Sequence, residues 1–269
     1  MLDILVPTAD SSYFTEASDQ ARTYVEAFAR VGLTACPRPW PDAGETPALA
    51  LLAWGYHLEA ARWLALLDRW PTTVPLFNSA ALMRWNTRKT YLTALETAGV
   101  PTVPTLFGTP SMVAFDQLSA DELVVKPQVS AGSHLTQRVR RGDPVPALRD
   151  AMIQPFLPAI QSEGEYSLFF IAGALTHAIV KRPTGDDFRI QPQFGGRNTL
   201  WQPDTEALTV AEAALAATPA QPLYARIDLV RRLDSRLALS ELEAIEPDLY
   251  FEHGPGVLER LAEELARVL

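Results

Sequence analysis

The chain has 269 residues, 48% hydrophobic and 20% charged, a balance that describes a globular protein and excludes a disordered or fibrous one. Its 23 Lys and Arg against 32 Asp and Glu give a formal charge of −9. Such a surface repels a phosphate backbone and an anionic bilayer, so neither nucleic acid nor membrane is expected as a partner. The single cysteine, Cys36, excludes an internal disulfide and a zinc-type cysteine cluster.

The opening Met1-Leu2-Asp3-Ile4-Leu5-Val6-Pro7 lacks the basic start and long apolar stretch of a secretion signal, and a cytoplasmic protein is expected. Ile4-Leu5-Val6 reads as a buried strand. Ala17, Ala21, Tyr24, Val25 and Phe28 fall at helical spacing over 15–31, with Gly32 as the stop. A second apolar strand over 48–53 and a helix over 57–69 complete a small α/β layer with a parallel sheet, residues 1–80. Asn78-Ser79 reads as the cap of a short helix, and Asn86-Thr87 as the cap of a longer one ending at Gly99.

Pro101 and Pro104 make the following stretch a linker. Residues 113–141 predict a helix, a strand over 122–126, a Ser/Gly loop and a strand over 135–140. A helix over 145–152 closes a second lobe, 81–153. From there to 269 hairpins dominate. Strands over 166–171 and 174–180 flank Ala172-Gly173, a two-residue turn signal. A polar segment, 182–203, is too long for a plain connector. A helix over 205–217, paired strands over 223–230 and 237–245, and an amphipathic helix over 255–268 follow.

Glu241 and Glu243 are two apart and so share one strand face, with Asp228 opposite or diagonal on the partner strand. Like charges so placed repel. Two readings stand: a solvated acidic edge, or an oxygen-only site for a divalent cation, magnesium or manganese rather than zinc. Counting back from the Ala172-Gly173 turn places Glu165 nearly opposite Lys181, which alone reads as a surface ion pair. Lys126 ends an apolar strand and precedes Ser130-Ala131-Gly132-Ser133, a small-residue loop that lets backbone N–H groups approach a phosphate. Neither a GxxxxGK[ST] nor a GxGxxG string is present. Cys36 and His177 read as structural.

In order, Asn86-Thr87-Arg88-Lys89, Val125-Lys126-Pro127, Gln154-Pro155-Phe156, Glu163-Gly164-Glu165, Asp187-Phe188-Arg189, Asp228 and Glu241-Leu242-Glu243 resemble the ATP-grasp superfamily, and most closely its glutathione-synthetase-like group. The resemblance spans about residues 78–252. It implies an α/β (α+β) ATP-grasp fold in which the lobes 81–153 and 154–269 enclose ATP. It also implies that Lys89, Lys126 and Lys181 meet the phosphates, and that Ser130, Gly132 and Ser133 form a loop closing over them. Gln154, Phe156 and Leu157 would meet the adenine, Glu165 the ribose, and Asp228, Glu241 and Glu243 the Mg2+ (or Mn2+). Family members with asparagine at the position of Glu243 depart from this chain by one negative charge. The implied activity is ligation: a small carboxylate is activated as an acyl phosphate and attacked by an amine. Arg189 and Lys126 serve the chemistry, and Arg226 and Glu246 hold substrate. The partners are small-molecule carboxylates and amines, with room for a homodimer. A phosphotransferase and a non-catalytic nucleotide-binding module are the alternatives.

Overall fold

Three sheets organise the chain, whose computed structural model describes residues 1–184 and 195–269. The first is parallel, in the order β2-β1-β3-β4: β1 (Leu2–Val6), β2 (Ala35–Pro39), β3 (Ala48–Leu49) and β4 (Leu76–Phe77). Helices α1 (Phe14–Arg30) and α2 (Ala60–Arg69) connect them. The strand expected over 48–53 is only two residues long. The chain turns at Ala50, whose N–H still reaches Phe77 O at 3.2 Å, and the rest of the apolar run is a buried loop. Cys36 sits in β2, directly before Pro37, with Pro39 closing the strand. An edge strand tolerates prolines because its outer N–H groups need no partner. Burial and the Asp3 carboxylate, which accepts from the thiol at 3.4 Å, push Cys36 up and away from nucleophilic use.

Asn86 and Thr87 close helix α3 (Ala80–Thr87), which Ser79 caps by accepting from Leu82 N–H; they do not begin a helix. Helix α4 (Tyr91–Thr97) follows. The second sheet is antiparallel, in the order β5-β8-β6-β7: β5 (Leu106–Gly108), β6 (Glu122–Pro127), β7 (Gln137–Arg140) and β8 (Ala151–Pro155), with α5 (Val113–Gln117) packed beneath. The helix expected over 145–152 does not form. Pro144 and Pro146 break it, and Ala151-Met152-Ile153 becomes a fully buried central strand, so position 153/154 lies inside β8.

After the short helix α6 (Ala159–Ser162), the third sheet runs β11-β10-β9-β12-β13. It is built from β9 (Glu165–Ile171), β10 (Ala174–Arg182), β11 (Arg197–Leu200), β12 (Tyr224–Arg231) and β13 (Leu237–Glu243). Helix α7 (Thr205–Ala216) covers one face, and the terminal helix α8 (Val257–Val268) joins α1 and the first sheet in a core shared with Phe169, Ile171 and Tyr224. Asp187, Phe188 and Arg189 lie outside the described residues. Among the described residues no helix is long and apolar enough to cross a membrane.

Strand β13 ends the third sheet, yet its outer backbone groups are paired. Asn86 donates to Leu242 O at 2.9 Å and accepts from Ala244 N–H at 2.8 Å, Tyr91 Oη accepts from Leu242 N–H, and Pro101 O accepts from Leu239 N–H at 2.8 Å. Buried backbone groups must find partners, and these fix β13 against α3 and the proline linker.

Gly254 packs on the face of His177, whose ring stacks on Phe169 at 4.2 Å and donates from Nε2 to Leu249 O. A Cβ at Gly254 would lie 2.5 Å from His177 Nδ1. Gly254→Ala is therefore expected to destabilise the fold by about 1–3 kcal/mol through overpacking, read as a lowered midpoint in thermal unfolding followed by circular dichroism.

Candidate active site

The three sheets meet around a cavity of about 560 Å³. One wall comes from the carboxyl ends of the parallel strands: Ser12 and Tyr13 follow β1, and Trp54, Gly55 and His57 follow β3. Ligands of open α/β sheets bind at those ends. The second sheet supplies Val124, Lys126 and the 130–136 turn. The third supplies Glu165, Lys181, Arg226, Asp228, Glu241 and Glu243, and the chain beyond it adds Glu246, Asp248 and Tyr250.

The register explains why so many charges converge. Asp228 pairs directly with Glu241 across β12 and β13, Lys181 with Glu165 across β10 and β9, and Arg226 with Glu243. Between Leu229↔Leu239 and Asp228↔Glu241 the ladder skips Ser240, a one-residue bulge. The bulge shifts the alternation by one: Leu237 and Leu239 before it, and Leu242 and Ala244 after it, all face the core under α7. Glu241 and Glu243 thereby face the cavity.

Two lysines from different elements meet on one carboxylate. Lys89 Nζ donates to Glu241 Oε1 at 2.6 Å and to Ser130 O at 2.8 Å, and Lys126 Nζ donates to Glu241 Oε2 at 3.2 Å. Burial alone would raise the Glu241 carboxyl, but Lys126 and Lys89 outweigh it and hold it well below the usual range. Asp228, 2% exposed, accepts from Lys181 at 3.2 Å, from Arg226 Nε and Nη2 at 3.0 Å, and from Ser167. Burial opposes its ionisation and the two cations overcome it, so its carboxyl lies below the ordinary value. Glu243 is held by Arg226, yet burial, reinforced by Glu241 and Asp228, pushes it up to about 7. Burial and Glu243 raise Glu246 well above its usual value.

Of the sequence-predicted residues, Lys89, Lys126, Ser130, Gly132, Ser133, Glu165, Lys181, Arg226, Asp228, Glu241, Glu243 and Glu246 line the cavity. Gln154, Phe156 and Leu157 do not. Gln154 Nε2 donates to Thr105 Oγ1 at 3.0 Å, Phe156 N–H donates to Glu122 O and its ring lies 3.5 Å beneath the Arg138 guanidinium, and Leu157 packs with Val103 and Val230. Val124, opposite Gln154 in the ladder, and Ile160 form the wall there instead. The N-terminal wall of Tyr13, Trp54 and His57 was not found from sequence, although the strand-end rule points to the loops after β1 and β3.

The expected cluster of Asp228, Glu241 and Glu243 is not arranged as a cation cage. Among the described residues no three His, Cys, Asp or Glu side chains are grouped to hold a metal ion, because each of these carboxylates is turned to a basic side chain. The donor chemistry nevertheless suits a hard divalent ion. Among the described residues seven carboxylates line the cavity against four basic side chains, an excess of hard oxygen donors. A dication supplying two charges to oxygen ligands relieves that excess.

No family model matches the chain. The cycloserine biosynthesis protein DcsG of Streptomyces lavendulae is 30% identical over 278 aligned positions, covering 91% of this chain and 92% of that protein. The crystal structure of D-cycloserine synthetase DcsG superposes with a TM-score of 0.83 at 27% identity, over 100% of this chain and 99% of that one. A D-alanine–D-alanine ligase from Bacillus anthracis shares the fold with a TM-score of 0.70 at 14% identity, over 98% and 92%.

Proposed function

The chain belongs to the ATP-grasp ligases, in the family that includes DcsG, and from that membership we propose that it uses ATP to activate a small carboxylate as an acyl phosphate for attack by an amine, in an intermolecular or ring-closing step. The observation that carries this reading is the convergence of Lys89 and Lys126 on Glu241, directly across the ladder from Asp228. Two lysines that converge on one carboxylate in the cavity wall are placed to meet phosphate oxygens when nucleotide enters.

In this reading Lys89, Lys126 and Lys181 hold the phosphates, and the turn carrying Ser130, Gly132 and Ser133 closes over them. Glu165, whose neighbour Ser240 donates to it at 3.2 Å, takes the ribose. The adenine rests on Val124 and Ile160, beside the chain at Gln154, Phe156 and Leu157. Asp228, Glu241 and Glu243 would hold magnesium, which supplies charge neutralisation to the transferring phosphoryl group. Arg226 and Glu246 contact substrate, and Arg189 stabilises the acyl phosphate. The first sheet (1–80) shapes the substrate wall, the second lobe, extended through the end of β8 at Pro155, acts as lid, the remainder to 269 carries the metal site, and the protein works in the cytoplasm.

No protein nucleophile is required. The substrate oxygen attacks the γ-phosphorus and ADP leaves; the amine nitrogen then attacks the acyl carbon and phosphate leaves. Closure over the cavity excludes the water that would hydrolyse the intermediate. The test is an ADP-release screen with magnesium, offering small amino acids with and without amine. A ligase releases inorganic phosphate and an amide, a phosphotransferase leaves phosphate on its product, and a nucleotide-binding module releases no ADP above background with any pair.

A further inference from the structure

His57 is 8% exposed, and both of its ring nitrogens are buried without a hydrogen-bond partner. It sits in the 3-10 turn Tyr56–Glu59, directly after Gly55, whose left-handed backbone (φ +82°) turns the chain into the cavity wall. The groups around it are aromatic or basic. Tyr13 and Tyr56 meet the ring edge-on at 5.9 and 6.1 Å, His134 covers it at 5.4 Å from the 130–136 turn, and Lys89 acts on it from across the cavity. Among the described residues no carboxylate is hydrogen-bonded to it.

A buried imidazole with two unmade hydrogen bonds carries a desolvation penalty that a ligand can relieve. We propose that His57 binds the attacking amine, accepting an N–H hydrogen bond from it and orienting its lone pair toward the activated carboxyl. This rests on the ligase reading above. Burial, His134 and Lys89 push the imidazole down to about 4, so it stays neutral and keeps a free acceptor nitrogen at working pH. That neutrality matters in a cavity rich in carboxylates. A carboxylate such as Glu246 would favour the ammonium form, which has no lone pair to attack with, whereas a neutral imidazole beside a lysine receives the free amine.

The test uses hydroxylamine as the amine and D- or L-alanine or serine as the carboxylate, with hydroxamate detected as its ferric complex. These short carboxylates carry no arm of their own to fill the amine position. His57→Phe keeps the ring packing and removes both nitrogens. It is expected to raise the KM for hydroxylamine about tenfold, the worth of one hydrogen bond, and leave the KM for ATP unchanged. His57→Asn, which returns an acceptor, is expected to restore it. An unchanged hydroxylamine KM in His57→Phe, or an ATP KM that rises in step with it, overturns the assignment. Failure of the unaltered enzyme to form hydroxamate from any of the four would strike the ligase reading itself, and this inference with it.

Discussion

Glu241→Gln is expected to lower magnesium-dependent turnover by about 10²–10³-fold while leaving the fold in place, the scale seen when one preorganised charge contact at a reacting centre is lost. Glu241 stands between Lys89 and Lys126 at 2.6 and 3.2 Å. The glutamine keeps the size of the side chain and an oxygen for Lys89, but it carries no charge for a metal. The fold should survive because β13 is fixed by its backbone bonds to Asn86, Tyr91 and Pro101 rather than by this side chain. The variant also has a signature that simple damage would not give. In the free enzyme Glu241 competes with phosphate for both lysines, so its removal should leave ADP binding without magnesium as tight as before or tighter. Calorimetric titration with ADP, with and without magnesium, reads this directly. Turnover within a few-fold of the unaltered enzyme would remove Glu241 from the mechanism.

The parts of the site that lie on hairpins were legible because hairpin register follows from counting. Counting from Ala172-Gly173 brought Glu165 within one residue of Lys181, and the second hairpin brought Asp228 opposite or diagonal to Glu241; bulges beside Thr176 and at Ser240 make both pairs directly opposed. The bulge at Ser240 also left a trace, since Leu237, Leu239 and Leu242 break strict alternation by one residue. The N-terminal wall was not legible in the same way. Tyr13, Trp54 and His57 reach the cavity from loops whose place depends on how the parallel sheet docks on the others, and β3, which aims one of those loops, is only two residues long. Local pattern misread Asn86 as a cap for a similar reason. Its amide serves the edge of a strand over 150 residues away, and short-range propensity carries no signal for that. The helix expected over 145–152 failed where apolar Ala151, Met152 and Ile153 found a central strand position between β5 and β6.

The largest loss of stability is expected at Asp228. Its carboxylate is almost fully buried and answers two cations at once, Lys181 and Arg226, with Ser167 completing its contacts. Asp228→Ala leaves Lys181 to Glu165 and Arg226 to Glu243, and it removes the one anion that stands between the two positive groups. Breaking a buried pair in this way costs about 3–5 kcal/mol, because the surviving charges keep their desolvation penalty and lose the attraction that offset it. Asp228→Asn keeps the shape and an acceptor for Ser167, so it should lose less stability than the alanine variant while losing turnover as fully. A half-buried pair gives the scale: Glu163 and Arg231, 2.8 Å apart and still reached by solvent, should cost about 1–2 kcal/mol when Glu163 is replaced by alanine. Urea denaturation of the three variants side by side tests the order. If Asp228→Ala lost no more than Glu163→Ala, the buried carboxylate would not be what holds Lys181 and Arg226 in the sheet, and the free-enzyme network would have to be anchored from Glu165 and Glu243 instead.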